Sequence, residues 1–454
     1  MTPHLPRKTK LIYGAGDFGF SLTMTILGAY FAIFLTDVVG IAPGIAAAAI
    51  FIGRSSDYLN DPIIGHITDR TRSRWGRRRP YLLFGAVPFA LAFFMLWWIP
   101  PLQGSVLLAI YYALAYVLFD IAATIIYMPY FALTPEMASD YDERTSLTTY
   151  RAFFSILGSL VAFTVPLMII GGFAPSNAPR VLMMAGVFGL VSMLPFFFLF
   201  FEVKERPEYM QQERPGLRQS LRAVRANRPF MIGMIVFLFT WVAVDIVQAT
   251  LLFFVKYVAR REAQSDLFMA SIFVTAIVAL PVWQWVSGRW SKRGGYVAGV
   301  AFWAGVQLVL ITVGPLVPMP VLVILCVMAG IGVSAAHVLP WAILPDAIEW
   351  DEYKTGERHE GMFYSLTTLM VKVASSVAIP LALLLLEITG YVPNAALQPS
   401  SALWGMRLVM GPVPAVLLCA GILFALRYPL GRQEHAKLVR DLEERRARKL
   451  GVTS

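Results

Sequence analysis

The sequence predicts an all-α polytopic membrane protein, and three observations carry that prediction. Of its 454 residues, 57% are hydrophobic and only 15% charged, with a mean hydropathy of +0.64. An average soluble chain is about 25% charged, so this one has too little polar surface for a water-soluble globule of its length. Apolar runs of about 18 residues or more recur along it, each long enough to cross roughly 30 Å of hydrocarbon, whereas a β-barrel would alternate in short segments. Its basic residues are also segregated into a few inter-run segments.

Twelve spans are expected, at 11–38, 42–68, 80–100, 104–134, 148–172, 180–202, 229–257, 266–290, 295–315, 318–346, 361–391 and 402–428. Several exceed 20 residues, which implies tilt or extension beyond the bilayer. The first follows a short polar stretch and is interrupted by Gly and Asp in KLIYGAGDFGFSLTM, so it reads as a retained helix rather than a cleaved signal. With both termini in the cytoplasm, about 30 of the 38 Lys and Arg fall in cytoplasmic segments, the bias that orients such proteins. The reverse topology would translocate DRTRSRWGRRR, 204–228 and the tail. The formal net charge of +10 is thus mainly a topology signal, and nucleic acid is not an expected partner.

The segment 203–228 divides the chain into two sets of six spans. GHITDRTRSRWGRRR after span 2 and SGRWSKRGG after span 8 occupy matching places in the two halves. That is the arrangement of a major facilitator fold, two six-helix bundles around a central cavity. The expected organisation is a bundle over 1–202, a cytoplasmic linker over 203–228, a second bundle over 229–428 and a charged tail over 429–454. The tail reads as a solvated or membrane-surface helix. The two cysteines, Cys326 and Cys419, lie in apolar runs and show no metal or disulfide spacing. No nucleophile elbow, HExxH or phosphate loop appears, so an enzyme is not expected.

Within span 2, RSSDYLNDPIIG places Asp57 and Asp61 one helical turn apart. Charge within a bilayer is costly and is usually kept for function. Two such carboxylates become tolerable with a shared proton, a basic partner such as Arg54, or a cation between them; a purely structural ion pair is the alternative. Asn60 adds a neutral oxygen, and Pro62 withholds a backbone donor from the preceding turn. On span 4, Asp120, Thr124, Tyr127 and Phe131 recur at helical spacing, and Thr124 can offer a hydroxyl to the same cation. Arg151 begins span 5 and Lys372 lies in the middle of span 11, where they can neutralise the acids or hold an anionic or hydroxyl-rich substrate. Asp17 and Ser21 share a face of span 1, and Asp245 and Gln248 share one of span 7. His337, with Trp341 one turn on, either lines the cavity or is a satisfied structural histidine. Asp69, Arg70, Arg74 and Arg77 form a charged latch or only a topology signal. Acids of DAIEWDEYKTGERHEG, between spans 10 and 11, could oppose that latch.

These residues resemble the glycoside–pentoside–hexuronide:cation symporters along most of the chain, from KLIYGAGDFG to ITGYVPN. The most specific stretch is R-x-x-D-x-x-N-D-P-I-x-G from Arg54 to Gly65, followed by TRSRWG. The resemblance implies that Asp57 and Asp61, with Asn60 and Thr124, bind a coupling cation. It implies that Arg151 contacts sugar, that Lys372 lies near the cation with Thr368 beside it, and that Phe131 replaces an aromatic lining the sugar site. Two sugar-gripping acids of the family align with Ser21 and Tyr127, which leaves Asp17 and Asp120 as a displaced acidic pair. The implied function is cation-coupled symport, Na⁺ favoured over H⁺, of a sugar or glycoside that could be a hexuronide or sulfosugar. A lysophospholipid is the alternative substrate. No other cofactor is expected, and the expected state is a monomer in a bacterial inner membrane.

Overall fold

The computed structural model describes residues 5–137, 141–203, 227–356 and 360–449, all helix, turn or loop with no strand among them. Eleven helices in these residues are long and apolar enough to cross a membrane. They fall on eleven of the twelve expected spans.

The exception is span 2. It is built as α2 (Pro43–Ser55) and α3 (Asp57–Arg70), joined at Ser56. The Ser56 N–H bonds the Gly53 carbonyl three residues back rather than four, which tightens the chain there. The two pieces are 13 and 14 residues long, and α3 is too polar to read as a span alone.

The described chain forms two compact units. In their described parts, the first comprises Met1–Gln212, Gln248–Ala270 and Ile379–Met406, and the second Glu213–Val247, Ser271–Ala378 and Arg407–Ser454. In the first unit, α1 (Arg7–Ile33) packs on α6 (Tyr141–Ile170) and α7 (Ala178–Glu202), while α4 (Arg79–Trp97) and α2 pack on α5 (Ser105–Met137). Glycines set the close approaches. A Cβ on Gly53 would stand 2.4 Å from the Tyr116 Cβ, so only a glycine lets α2 lie this near α5.

In the second unit, α8 (Arg228–Phe253), α9 (Ser265–Arg289), α10 (Lys292–Val309), α11 (Met319–Thr355) and α14 (Pro412–Leu426) enclose a core that includes Trp283, Tyr296, Trp303 and Leu418. The helix α12 (Glu360–Ile388) joins a separate cluster in which Phe363 packs with Phe230 and Ile348, and the last span is completed by α13 (Ser400–Met410) ahead of α14.

Two local expectations need adjustment. Span 10 continues as helix to Thr355 and stops where Gly356 takes φ +75°, its N–H returning to the Glu352 carbonyl. DAIEWDEY is therefore the end of α11, not an inter-span loop. The tail forms α15 (Arg432–Lys449), which is docked rather than solvated. Leu438 and Leu442 are buried against Ile343, Tyr428 and Leu430. The linker residues 204–226 lie outside the described residues.

Candidate functional site

The second span brings its charged residues to α5. Ser56 Oγ and Asn60 Nδ2 both donate to Asp120 Oδ2, at 3.0 and 2.8 Å. The Asp57 carboxyl lies close to that of Asp120. Arg54 Nε donates to the Tyr116 hydroxyl at 2.8 Å, one turn before Asp120. Asp57, Asn60 and Asp61 are half-exposed, whereas Asp120 and Thr124 are buried. Asn60 spends its amide N–H groups on Asp120 and Ser56, which leaves its carbonyl oxygen as the group able to ligate. Carboxylate, amide and hydroxyl oxygens are the donors a hard cation prefers. The residues thus fit a Na⁺ ion by donor chemistry.

A second cluster in the same unit centres on Arg151. Its Nε donates to Asp17 Oδ2, and its NH1 donates to Thr134 Oγ1 at 3.2 Å. Its guanidinium lies 4.8 Å from the Phe131 ring centroid, a cation–π arrangement. Tyr130 donates to the Tyr13 carbonyl at 2.6 Å and to Asp17 at 3.3 Å. Ser21 and Ser155 share a 2.6 Å hydrogen bond. Tyr127 is 3% exposed and packed edge-on against Phe20, Phe89 and Phe196, with Phe131 stacked on it. It sits under the aromatic wall rather than on it. Gln248 abuts the backbone of α1 at Gly28, where a Cβ would stand 2.7 Å from its Nε2.

In the second unit, Ser375 Oγ donates to Asp245. His337 contacts the Val333 carbonyl at 3.0 Å through Nδ1, and its ring centroid is 5.3 Å from that of Trp241. Trp341 meets Phe237 edge-on at 4.9 Å. Thr368 bonds the Tyr364 carbonyl of its own helix, and Lys372 is half-buried one turn on.

The charged segment after α3 is also placed. Arg74 lies 4.2 Å from the Trp75 ring, Arg70 is exposed, and Arg77 is half-exposed. The side chain of Asp69 lies outside the described residues. Asp346 is taken by Lys292 and lies 3.2 Å from His435 Nε2, which is 2.6 Å from Glu349.

One buried network escaped the sequence reading. Both α1 and α8 end in a π-helical turn, Phe34–Val38 and Phe254–Val258. Asp37, fully buried, accepts hydrogen bonds from Lys256 at 2.5 Å, Tyr257 at 2.6 Å and Tyr391. Lys256 also bonds the Phe173 carbonyl and Asn394. LTDVVG and FVKYVAR put opposite charges at matching ends of the first spans of the two halves, and that symmetry was the available signal.

Helices of this length around acidic and aromatic clusters, with a broken second span, make a multi-pass membrane protein of the kind expected of a carrier. Comparison with known proteins agrees. Residues 12–432 match the family of MFS/sugar transport proteins. An uncharacterized symporter of Synechocystis is 32% identical over 96% of this chain and 96% of its own. The sodium-dependent lysophosphatidylcholine symporter 1-A of Danio rerio is 28% identical over 94% of this chain and 86% of its own. The isoprimeverose transporter of Lactiplantibacillus pentosus is 26% identical over 98% and 92%. The xylose transporter XylE from E. coli superposes with a TM-score of 0.64 at 15% identity, covering 93% of this chain and 96% of that one. The chain belongs to the MFS sugar-transport family, in its glycoside–pentoside–hexuronide:cation symporter-like group. It is a multi-pass symporter-type carrier of a small molecule, not an enzyme.

Proposed function

We propose that the protein couples inward movement of Na⁺ to uptake of a sugar or glycoside by alternating access. The observation that carries this reading is the Asp57–Asn60–Asp61 set at the joint of span 2, tied to α5 through the Asn60–Asp120 hydrogen bond. A cation there relieves repulsion between carboxylates and fixes the joint. Because binding couplings are reciprocal, substrate then tightens cation binding by the same factor. Neutral oxygens beside the acids favour Na⁺ over H⁺.

The substrate reading rests on Arg151. Asp17 neutralises its guanidinium, and Phe131 offers a flat apolar face beside the pair. A neutral pair next to an aromatic suits a hydroxyl-rich ring better than a strongly anionic one, so a glycoside stands ahead of a hexuronide or sulfosugar. The carrier is assigned to the bacterial inner membrane as a monomer, with both termini in the cytoplasm.

A second reading, Na⁺-coupled transport of a lysophospholipid, is favoured by a separate feature of the first unit. A cavity of about 680 Å³ is lined by Ile45, Ala49, Ile52, Ile110, Leu114 and Leu384 among others. Its apolar walls reach the surface, where Ile52 and Leu114 are exposed, and Glu387 bonds the Gly44 N–H at its rim. Such a groove suits one acyl chain.

Calorimetry on the purified protein decides between them. Neutral glycosides, hexuronides, sulfosugars and lysophospholipids are titrated with and without Na⁺ across pH. A glycoside whose affinity rises with Na⁺ in the parent, but not in Asp57→Asn/Asp61→Asn, supports the reading. Binding that follows pH at fixed Na⁺ assigns the proton instead. Na⁺-dependent binding of lysophospholipid alone selects the second reading, and ligand binding indifferent to every cation refutes coupling at span 2.

A further inference from the structure

We propose that the tail helix α15 is a pH-sensitive clamp on the polar end of span 10, with His435 as the group whose protonation closes it. The inference goes beyond the transport reading. Only the side of the membrane on which the clamp acts rests on the proposed topology.

All the groups involved belong to the second unit. His435, Leu438 and Leu442 follow one another at helical spacing, so one face of α15 carries a polar contact at its start and an apolar one beyond. In the apolar contact, Leu438 and Leu442 are buried with Ile343, Tyr428 and Leu430, and Trp350 and Tyr353 of α11 pack on that patch. In the polar one, His435 Nε2 stands 2.6 Å from Glu349 Oε2 and 3.2 Å from Asp346 Oδ1. These two carboxylates are one turn apart on α11. Lys292, at the start of α10, holds the same oxygen of Asp346. A single ring nitrogen facing two carboxylate oxygens has to carry a hydrogen, and His435 is held to α11 through it.

The charges do not balance without a proton. Two carboxylates against the Lys292 ammonium leave one negative charge, and an imidazolium at His435 cancels it. A neutral imidazole keeps an N–H contact but not the charge, and charge-assisted hydrogen bonds are the stronger kind. Among the described residues, the other ionisable groups around the contact are Arg293, the phenols of Tyr428 and Tyr353, and the exposed Glu434 of α15 itself; Arg293 NH1 is 3.5 Å from the Tyr428 carbonyl. Histidine is the side-chain type whose charge ordinarily changes between about pH 5 and 8. Docking that prefers the imidazolium is strongest on the acid side and is lost as pH rises through the histidine range. The apolar patch is common to both forms, so the change falls on the start of α15 and on α11 from Asp346 to its stop at Gly356. Acid therefore stiffens this end of span 10, and alkali frees it.

The test is amide hydrogen exchange on the full-length protein in lipid nanodiscs, at about pH 6 and about pH 8, with EDTA present to keep metal ions off the carboxylates. His435→Gln, measured at each pH, cancels the intrinsic pH dependence of exchange. Protection of 432–449 and 346–356 in the parent is expected to exceed that in His435→Gln about tenfold at the acid pH and to equal it at the alkaline one. His435→Lys keeps a charge at both and is expected to retain its protection at the alkaline pH. Leu442→Asp, which breaks the apolar patch, supplies the undocked reference. A ratio of parent to His435→Gln that is the same at both pH values overturns the proposal. So does a loss of protection in His435→Lys as large as the parent's, or a parent tail no better protected at the acid pH than that of Leu442→Asp. No substrate or ion gradient enters the measurement, so its failure leaves the span 2 reading untouched.

Discussion

Asp17 and Arg151 form the ion pair on which the proposed substrate reading rests. The two side chains are mostly buried, at 8% and 23% exposure. Removing one partner of such a pair leaves the other uncompensated, at a cost of about 3–5 kcal/mol. Asp17→Asn is therefore expected to lower the melting temperature in detergent, and Asp17→Asn/Arg151→Gln to recover part of the loss. Arg151→Lys keeps the charge but loses the fork that reaches Asp17 and Thr134 together. Its expected signature is ligand affinity weakened at least tenfold with Na⁺ affinity little changed, measured by the same titrations. The Asp37 network makes the companion case. Lys256→Met strands a buried carboxylate among Tyr257 and Tyr391 and should destabilise by about 3–5 kcal/mol, read as a fall in unfolding temperature that Lys256→Met/Asp37→Asn partly reverses.

At the scale of an element, the second span is where sequence and structure part. Its position was legible because an apolar stretch ran into a charged one with a proline. Its joint at Ser56 was not, since a serine inside a helix gives no periodic signal and the change is one shortened turn. The close packing of α2 on α5 depends on Gly53. Gly53→Val is expected to push against Tyr116, to cost about 1–3 kcal/mol by overpacking, and to weaken Na⁺ binding by displacing Asp57 from Asp120. Unaltered stability and Na⁺ affinity in this variant would disconnect the helix contact from the site. Helical spacing placed Asp120, Thr124, Tyr127 and Phe131 on one side of α5. It could not tell that the first meets span 2 and the third lies beneath aromatic rings, because spacing gives a face and not the neighbour across it. Span 10 was cut short at 346 for a different reason. Polar residues past that point end the hydropathy signal while the backbone helix continues to its glycine stop at Gly356.

Across the whole molecule, hydrophobic length alone located nearly every span, since a bilayer demands about 20 apolar residues per crossing and leaves few alternatives. Which spans would share a compact unit was beyond that signal. The segments 248–270 and 379–406 join the first unit through contacts far apart in sequence. The docked tail was likewise half legible, as its loose apolar pattern indicated an amphipathic helix without its partner. Leu442→Asp places a charge at a 5% exposed position against the core that holds Tyr428 and Leu438. Expected outcomes are a lower unfolding temperature and faster proteolysis of residues 432–449, with the Na⁺ affinity of the span 2 site unchanged.

The Asp37–Lys256 pair also bears on the electrical behaviour of the carrier. Carrying one elementary charge through a 100 mV membrane potential involves about 2.3 kcal/mol. Opposite charges that move together carry none. Joint rearrangement of these π-turn ends is then electrically silent, and under the proposed mechanism voltage dependence is expected from the carboxylates of the second span and their ion.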